Sequence, residues 1–201
     1  FDIVDDGVLS NSLMGYAADP VINLTIMLLI IIGGLGFLTW RDIYTNGIHI
    51  KRYRMQSKVI LAVTAGLILV PSIYFFFFEF AHLPFTERLW GALFQAVTPR
   101  TAGFNTADLN AMSETGQMLT SLLMIIGGAP GSTAGGMKVT TFVVMVSVAA
   151  AVFQRRQNGC FFGRRIDDET VKNAATVFLM YISLFLIGGM AISKLENLPI
   201  M

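Results

Sequence analysis

Long apolar stretches separated by short charged clusters restrict this chain more than any other feature. Val21–Trp40, Lys58–Phe80 and Thr170–Ile192 each supply the run of about 20 residues that a helix needs to cross the hydrocarbon core. Gln117–Phe153 is apolar as well, but as one helix it would reach roughly 55 Å against a core of about 30 Å. It also contains Gly127-Gly128-Ala129-Pro130-Gly131-Ser132-Thr133-Ala134-Gly135-Gly136, which no regular helix accommodates. This segment therefore reads as a helix, a break and a second helix. Only 13% of the 201 residues are charged, well under the about 25% of an average soluble domain. The expected class is an all-α polytopic membrane protein whose outer solvent is the lipid bilayer.

Basic residues orient the spans. Arg41, Lys51, Arg52, Arg54 and Lys58 lie between the first two, and Arg155, Arg156, Arg164, Arg165 and Lys172 follow the broken one. These clusters hold ten of the fourteen Lys and Arg residues, so both belong in the cytoplasm. A net charge of +1 gives no reason to expect a nucleic-acid partner. The single cysteine, Cys160, excludes an internal disulfide framework or a cysteine-based metal cluster. The chain opens on Phe1 without a signal-peptide pattern and reads as an internal piece of a longer protein.

Between spans two and three, Phe85–Val97 carries Leu89, Leu93, Phe94 and Val97 at helical spacing, yet is too short to cross. Thr86 is its expected cap, with Glu87 near the positive end of the helix dipole. The helix then aims its partially negative C-terminus at Thr98-Pro99-Arg100-Thr101-Ala102-Gly103-Phe104-Asn105-Thr106. Extended backbone at membrane depth is tolerated where it is buried in protein or lines a watery cavity. There, carbonyls of a Thr-x-Gly-aromatic stretch can replace the hydration shell of K⁺. From spacing alone, an ordinary outer loop turning at Gly103 is an equal reading.

Three motifs decide between them. They are Ile32-Gly33-Gly34-Leu35-Gly36-Phe37, the stretch AVTPRTAGFNTADL from Ala96 to Leu109, and IIGGAPGSTAGGMKVTTF from Ile125 to Phe142. In this order and spacing the chain closely resembles the TrkH/KtrB family of bacterial potassium-translocating subunits, essentially from end to end. That family is built from four joined helix–pore-loop–helix repeats. The resemblance implies that Phe1-Asp2 ends the second filter and that residues 1–57 continue through the inner helix of repeat two and a cytoplasmic loop. It makes 58–168 the complete third repeat and 169–201 the first helix of the fourth. It implies that Thr101, Ala102, Gly103 and Phe104 form one quadrant of the filter, with K⁺ held by the backbone of Thr101, Ala102 and Gly103. It also implies a multi-pass protein of the bacterial plasma membrane, a homodimer, and a cytosolic nucleotide-binding regulatory subunit. Potassium is the transported ion, no covalently bound cofactor is expected, and Na⁺ is a candidate activator.

Family members use the third repeat's break as a gating loop beneath the filter, which assigns that role to Gly127, Gly128, Pro130, Gly131, Ser132, Thr133, Gly135, Gly136 and Lys138. The residues themselves agree. The glycine-rich backbone has many accessible conformations, and Ser132 and Thr133 can satisfy its freed polar groups. Lys138 is expensive at membrane depth and should face the pore or snorkel. A nucleotide-binding P-loop fails in detail, since Met137 intervenes before Lys138 and Val139 stands where Ser or Thr should hold Mg²⁺.

Gly33, Gly34 and Gly36 read as small-residue packing positions. Arg100 reads as a surface anchor hydrogen-bonding the pore-loop backbone, with an ion-repelling role as the alternative, Phe75–Phe78 as packing or lipid-facing bulk, and His49 and His82 as solvated loop residues. Asp108 and Glu114 would concentrate cations at an outer mouth or simply be solvated. No bond-breaking constellation is visible, so an enzyme is not expected. The rivals to a channel-like K⁺ subunit are an ion-coupled secondary transporter with broken helices, whose sites would sit at inverted repeats, and a purely structural membrane module.

Overall fold

A computed structural model describes residues 12–155, 160–161 and 164–196. The regular elements among these residues are helices, apart from one antiparallel pair of two-residue strands, β1 (Cys160–Phe161) and β2 (Arg164–Arg165). That pair is the one departure from the all-α expectation. Phe1-Asp2 and its expected place at a filter's end lie outside the described residues.

Helix α1 (Pro20–Gly34) begins where Asp19 accepts hydrogen bonds from the amides of Val21 and Ile22, with Pro20 preset for the first turn. The buried amide of Asn23 donates to the carbonyls of Tyr16, Ala17 and Asp19, folding the preceding turn back onto the helix. The expected straight span Val21–Trp40 does not form. The helix stops at Gly34, bends by 99°, and restarts as α2 (Phe37–Asn46). Gly36 between them has φ +77°, a left-handed angle no helix contains, and only glycine takes it without a steric cost.

Helix α3 (Met55–Tyr74) continues through a π-helical turn at Phe75–Glu79, making an apolar rod of 25 residues, long enough to cross a bilayer. The turn splits the phenylalanine run. Phe75 is fully buried, while Phe77 and Phe78 face outward. A corner joins α2 to α3: Asp42 is buried, and its Oδ2 accepts from the Ser57 hydroxyl at 2.7 Å and the Arg54 amide at 3.0 Å. The Arg54 guanidinium lies 3.6 Å from Oδ1. Asp42→Ala leaves these donors without their acceptor, so amide exchange in α2 should accelerate by roughly tenfold. An unchanged exchange rate would show that the corner does not hold α2.

Helix α4 (Phe85–Val97) has the predicted bounds but not the predicted cap. Pro84 sits at the N-cap, which places Thr86 inside the first turn, where its hydroxyl has no capping bond to make. Its second half is buried on all sides. Ala92 and Ala96 pack with Phe75, Phe80, Met112 and Leu123, while Phe94 and Val97 pack with Met27 of α1. A short helix so enclosed needs no lipid-crossing length. Helices α5 (Glu114–Ile125) and α6 (Val139–Phe153) flank the predicted break. The carboxylate of Glu79 accepts from the amide and hydroxyl of Ser113, whose oxygen in turn accepts from the Gly116 amide. This staple fixes the start of α5 to the end of α3. Val59 of α3 packs with Val139 and Val143 of α6. Helix α7 (Asp168–Glu196) overruns the predicted Thr170–Ile192 at both ends and packs along α6. It too is apolar and long enough to cross.

Candidate functional site

The segment after α4 is turned tightly and held at both ends. The Thr98 amide closes the helix on Phe94, and the Ala102 amide donates back to the Thr98 carbonyl at 3.2 Å. Thr98 also donates its hydroxyl to the Phe104 carbonyl, which clamps the two ends of the turn together. Beyond Phe104, Asn105 accepts from the Leu13 amide at 2.9 Å and donates its own amide to the Ser12 hydroxyl at 3.0 Å. Within the clamp, Gly103 has φ +73° and Thr101 has φ +68°. A β-branched residue in the left-handed region is an outlier whose strain the surrounding bonds must offset.

Thr98, Thr101, Ala102 and Gly103 line a cavity of about 390 Å³, with Gln95 and Thr120 opposite. Gln95 is fully buried and donates to the Thr120 hydroxyl at 3.2 Å, tying α4 to α5. Arg100 departs from expectation. Its guanidinium reaches the hydroxyl of Thr64 on α3 at 3.4 Å, and its Nε has no partner among the described residues. The residue is buried, so burial against α3 rather than a backbone bond defines its position.

The glycine-rich loop, residues 126–138, closes on itself at a neck. Gly127 donates to the Met137 carbonyl at 2.9 Å, Met137 to Ile125 at 3.1 Å, and Val139 to Gly128 at 3.1 Å. A Cβ on Gly127 would stand 1.8 Å from the Gly135 carbonyl oxygen, so no other residue permits this closure. The ammonium of Lys138 donates to the Ala134 carbonyl at 2.7 Å. Thr133 donates its hydroxyl to the Gly33 carbonyl, outside the loop, rather than to the loop's own backbone. Ser132 does not bond that backbone either, since its buried Oγ has no partner among the described residues.

Two predicted regions far apart in sequence meet here. A Cβ added to Gly135 would lie 3.6 Å from Thr101 Cγ2, which puts the loop directly against the turn after α4. The first motif joins them in a way not anticipated. Gly33, Gly34 and Gly36 pack against this loop rather than against a neighbouring helix. Sequence reasoning also missed the Thr98 clamp, the Ser12 and Leu13 anchors and the Glu79 staple. Only the glycine triplet left a visible signal, because three glycines within one apolar span weaken it as a helix. His49 and His82 stay in separate loops, and no cluster of metal-ligating side chains occurs among the described residues. The side chain of Cys160 lies outside them.

Residues 7–199 match the TrkH family, described as a cation transport protein. The sequence is 39% identical to the potassium/sodium uptake protein NtpJ of Enterococcus hirae across 99% of this chain and 44% of that protein. It is 34% identical to the Ktr system potassium uptake protein B of Bacillus subtilis, across 94% of this chain and again 44% of the relative. Its fold overlays the crystal structure of the potassium transporter TrkH from Vibrio parahaemolyticus with a TM-score of 0.75 at 23% identity. That overlay covers 92% of this chain and 41% of the other. The chain thus spans less than half the length of these relatives.

Proposed function

Because this chain belongs to the TrkH family of cation transport proteins, we propose that it builds part of the route for K⁺ through a membrane uptake protein. The backbone of Thr101, Ala102, Gly103 and Phe104 supplies one quarter of a selectivity filter, and the loop from Gly127 to Lys138 obstructs the route beneath it. The observation that carries this reading is the close approach of Gly135 to Thr101, where an added Cβ would lie 3.6 Å from Cγ2, because it sets a glycine-built loop against the strained turn at the end of a short helix. That helix offers the negative end of its dipole, and peptide oxygens of the turn replace the water K⁺ sheds.

The remaining quadrants come from other parts of the full-length protein. The name of the Enterococcus relative supports sodium as a co-ion or activator. The Ktr system naming supports further subunits, and the family likeness adds the proposal of a cytosolic nucleotide-binding regulator and of a dimeric membrane subunit in the bacterial plasma membrane. Both basic clusters face that regulator.

Thr98→Val tests the filter reading. It keeps the side-chain shape but removes the bond to the Phe104 carbonyl, worth about 1 kcal/mol, so preference for K⁺ over Na⁺ should fall about fivefold. The measurement is competitive uptake by potassium-uptake-deficient cells carrying the full-length protein. Unaltered preference in a normally inserted protein would count against the assignment.

A further inference from the structure

The bend between α1 and α2 opens a helix in the middle of an apolar span, and the freed polar groups must find partners. They find them in one place. The Gly34 carbonyl accepts from the Ala129 amide at 2.9 Å, and the Gly33 carbonyl accepts from both the amide and the hydroxyl of Thr133 at 3.3 Å. In return, the first amide of α2, that of Phe37, donates to the Gly131 carbonyl at 3.2 Å. The Ile32 carbonyl accepts from the Leu35 amide at 3.4 Å and from the indole N–H of Trp40 at 3.0 Å. The bend and the loop therefore complete each other's backbone bonding. A straight α1–α2 would leave the loop's donors unmet, and a withdrawn loop would leave the bend's carbonyls bare in an apolar setting.

The fit depends on an absent side chain. A Cβ on Gly36 would stand 2.5 Å from the Pro130 carbonyl oxygen, and φ +77° at that residue already disfavours any other amino acid. Helix α2 is also well suited to transmit movement. Its first amide holds the loop, while Asp42, one and a half turns later, holds α3. We propose that the α1–α2 bend is a latch for the gating loop: α2 seated on α3 keeps the loop across the ion path, and displacement of α2 releases it. Gly36 is the positioning residue of this latch, and Trp40 holds the bend in shape. The inference rests on the gating reading above and adds to it the element through which the gate is controlled.

The experiment measures rubidium-tracer influx into potassium-depleted cells carrying the full-length protein, normalised to the amount in the membrane. Three variants are compared: Gly36→Ala, Trp40→Phe, and deletion of residues 128–136. The latch predicts that Gly36→Ala raises influx by about threefold or more and Trp40→Phe by about twofold, each with rubidium-over-sodium preference unchanged. Damage to general structure would lower influx instead. If the deletion raises influx while Gly36→Ala, present at normal amounts, does not, the latch is overturned and the gate stands. Should Gly36→Ala not reach the membrane, Trp40→Phe decides on the same terms. If the deletion itself leaves influx unchanged, the gating reading fails and the latch falls with it.

Discussion

Gly103→Ser should cost the full-length protein most of its preference for K⁺ over Na⁺, by at least about tenfold, while leaving insertion into the membrane normal. The argument separates space from backbone angle. Among the described residues nothing lies within 4 Å of a Cβ placed on Gly103, so none of them obstructs the new side chain. Its φ of +73° is another matter, since an L-residue pays roughly 1–2 kcal/mol to stay there. Thr101, two residues earlier, is already in the same region at φ +68°, so the turn has little capacity for a second strained residue. The backbone should relax towards ordinary angles and rotate the peptide oxygens of Ala102 and Gly103 off the ion. On the proposed filter role, selectivity depends on those oxygens, whereas folding depends on helices packed elsewhere, so the two effects divide. Growth on limiting potassium, together with competitive rubidium and sodium uptake, reads the first. Membrane abundance reads the second. A variant with unchanged preference would show that this turn does not face the ion.

Deleting residues 128–136 is the second change of large expected effect, and should raise ion influx more than about tenfold if the loop is a steric plug. The neck makes this deletion unusually mild. Gly127 and Met137 already exchange a 2.9 Å backbone bond, so the ends to be joined are neighbours before the cut. The turn after α4 keeps the Thr98, Ser12 and Leu13 contacts that shape it, none of which involves the deleted residues. Preference for K⁺ should therefore survive while the rate rises. Unchanged or lower influx at intact membrane abundance would remove the plug from the account.

How far the sequence foretold these features follows from the range over which each cause acts. Phe85–Val97 was legible to the residue, because Pro84 and Pro99 bracket a helical apolar repeat. The break between α5 and α6 was legible because its glycines and proline act locally. The bend after Gly34 was not. Its apolar composition argues for a continuous span, and only the loop arriving about a hundred residues later supplies the bonds that make a bend affordable. Arg100 misled for a related reason, since nothing near it in sequence reveals that Thr64 on α3 stands within reach. The filter candidate was found through its Thr-x-Gly-aromatic pattern and the family likeness, whereas the clamp by Thr98 needs the folded turn to become visible.

The left-handed Thr101 has a consequence for the order in which this protein takes shape. Its conformation is held by the local Thr98 clamp together with contacts such as that of Asn105 with Ser12, 93 residues away in the chain. A left-handed β-branched residue costs the turn part of that local support, and loop-closure entropy delays the distant contacts that complete it. It should therefore be the last piece to settle during assembly and the first to loosen on warming, well before the helices around it separate.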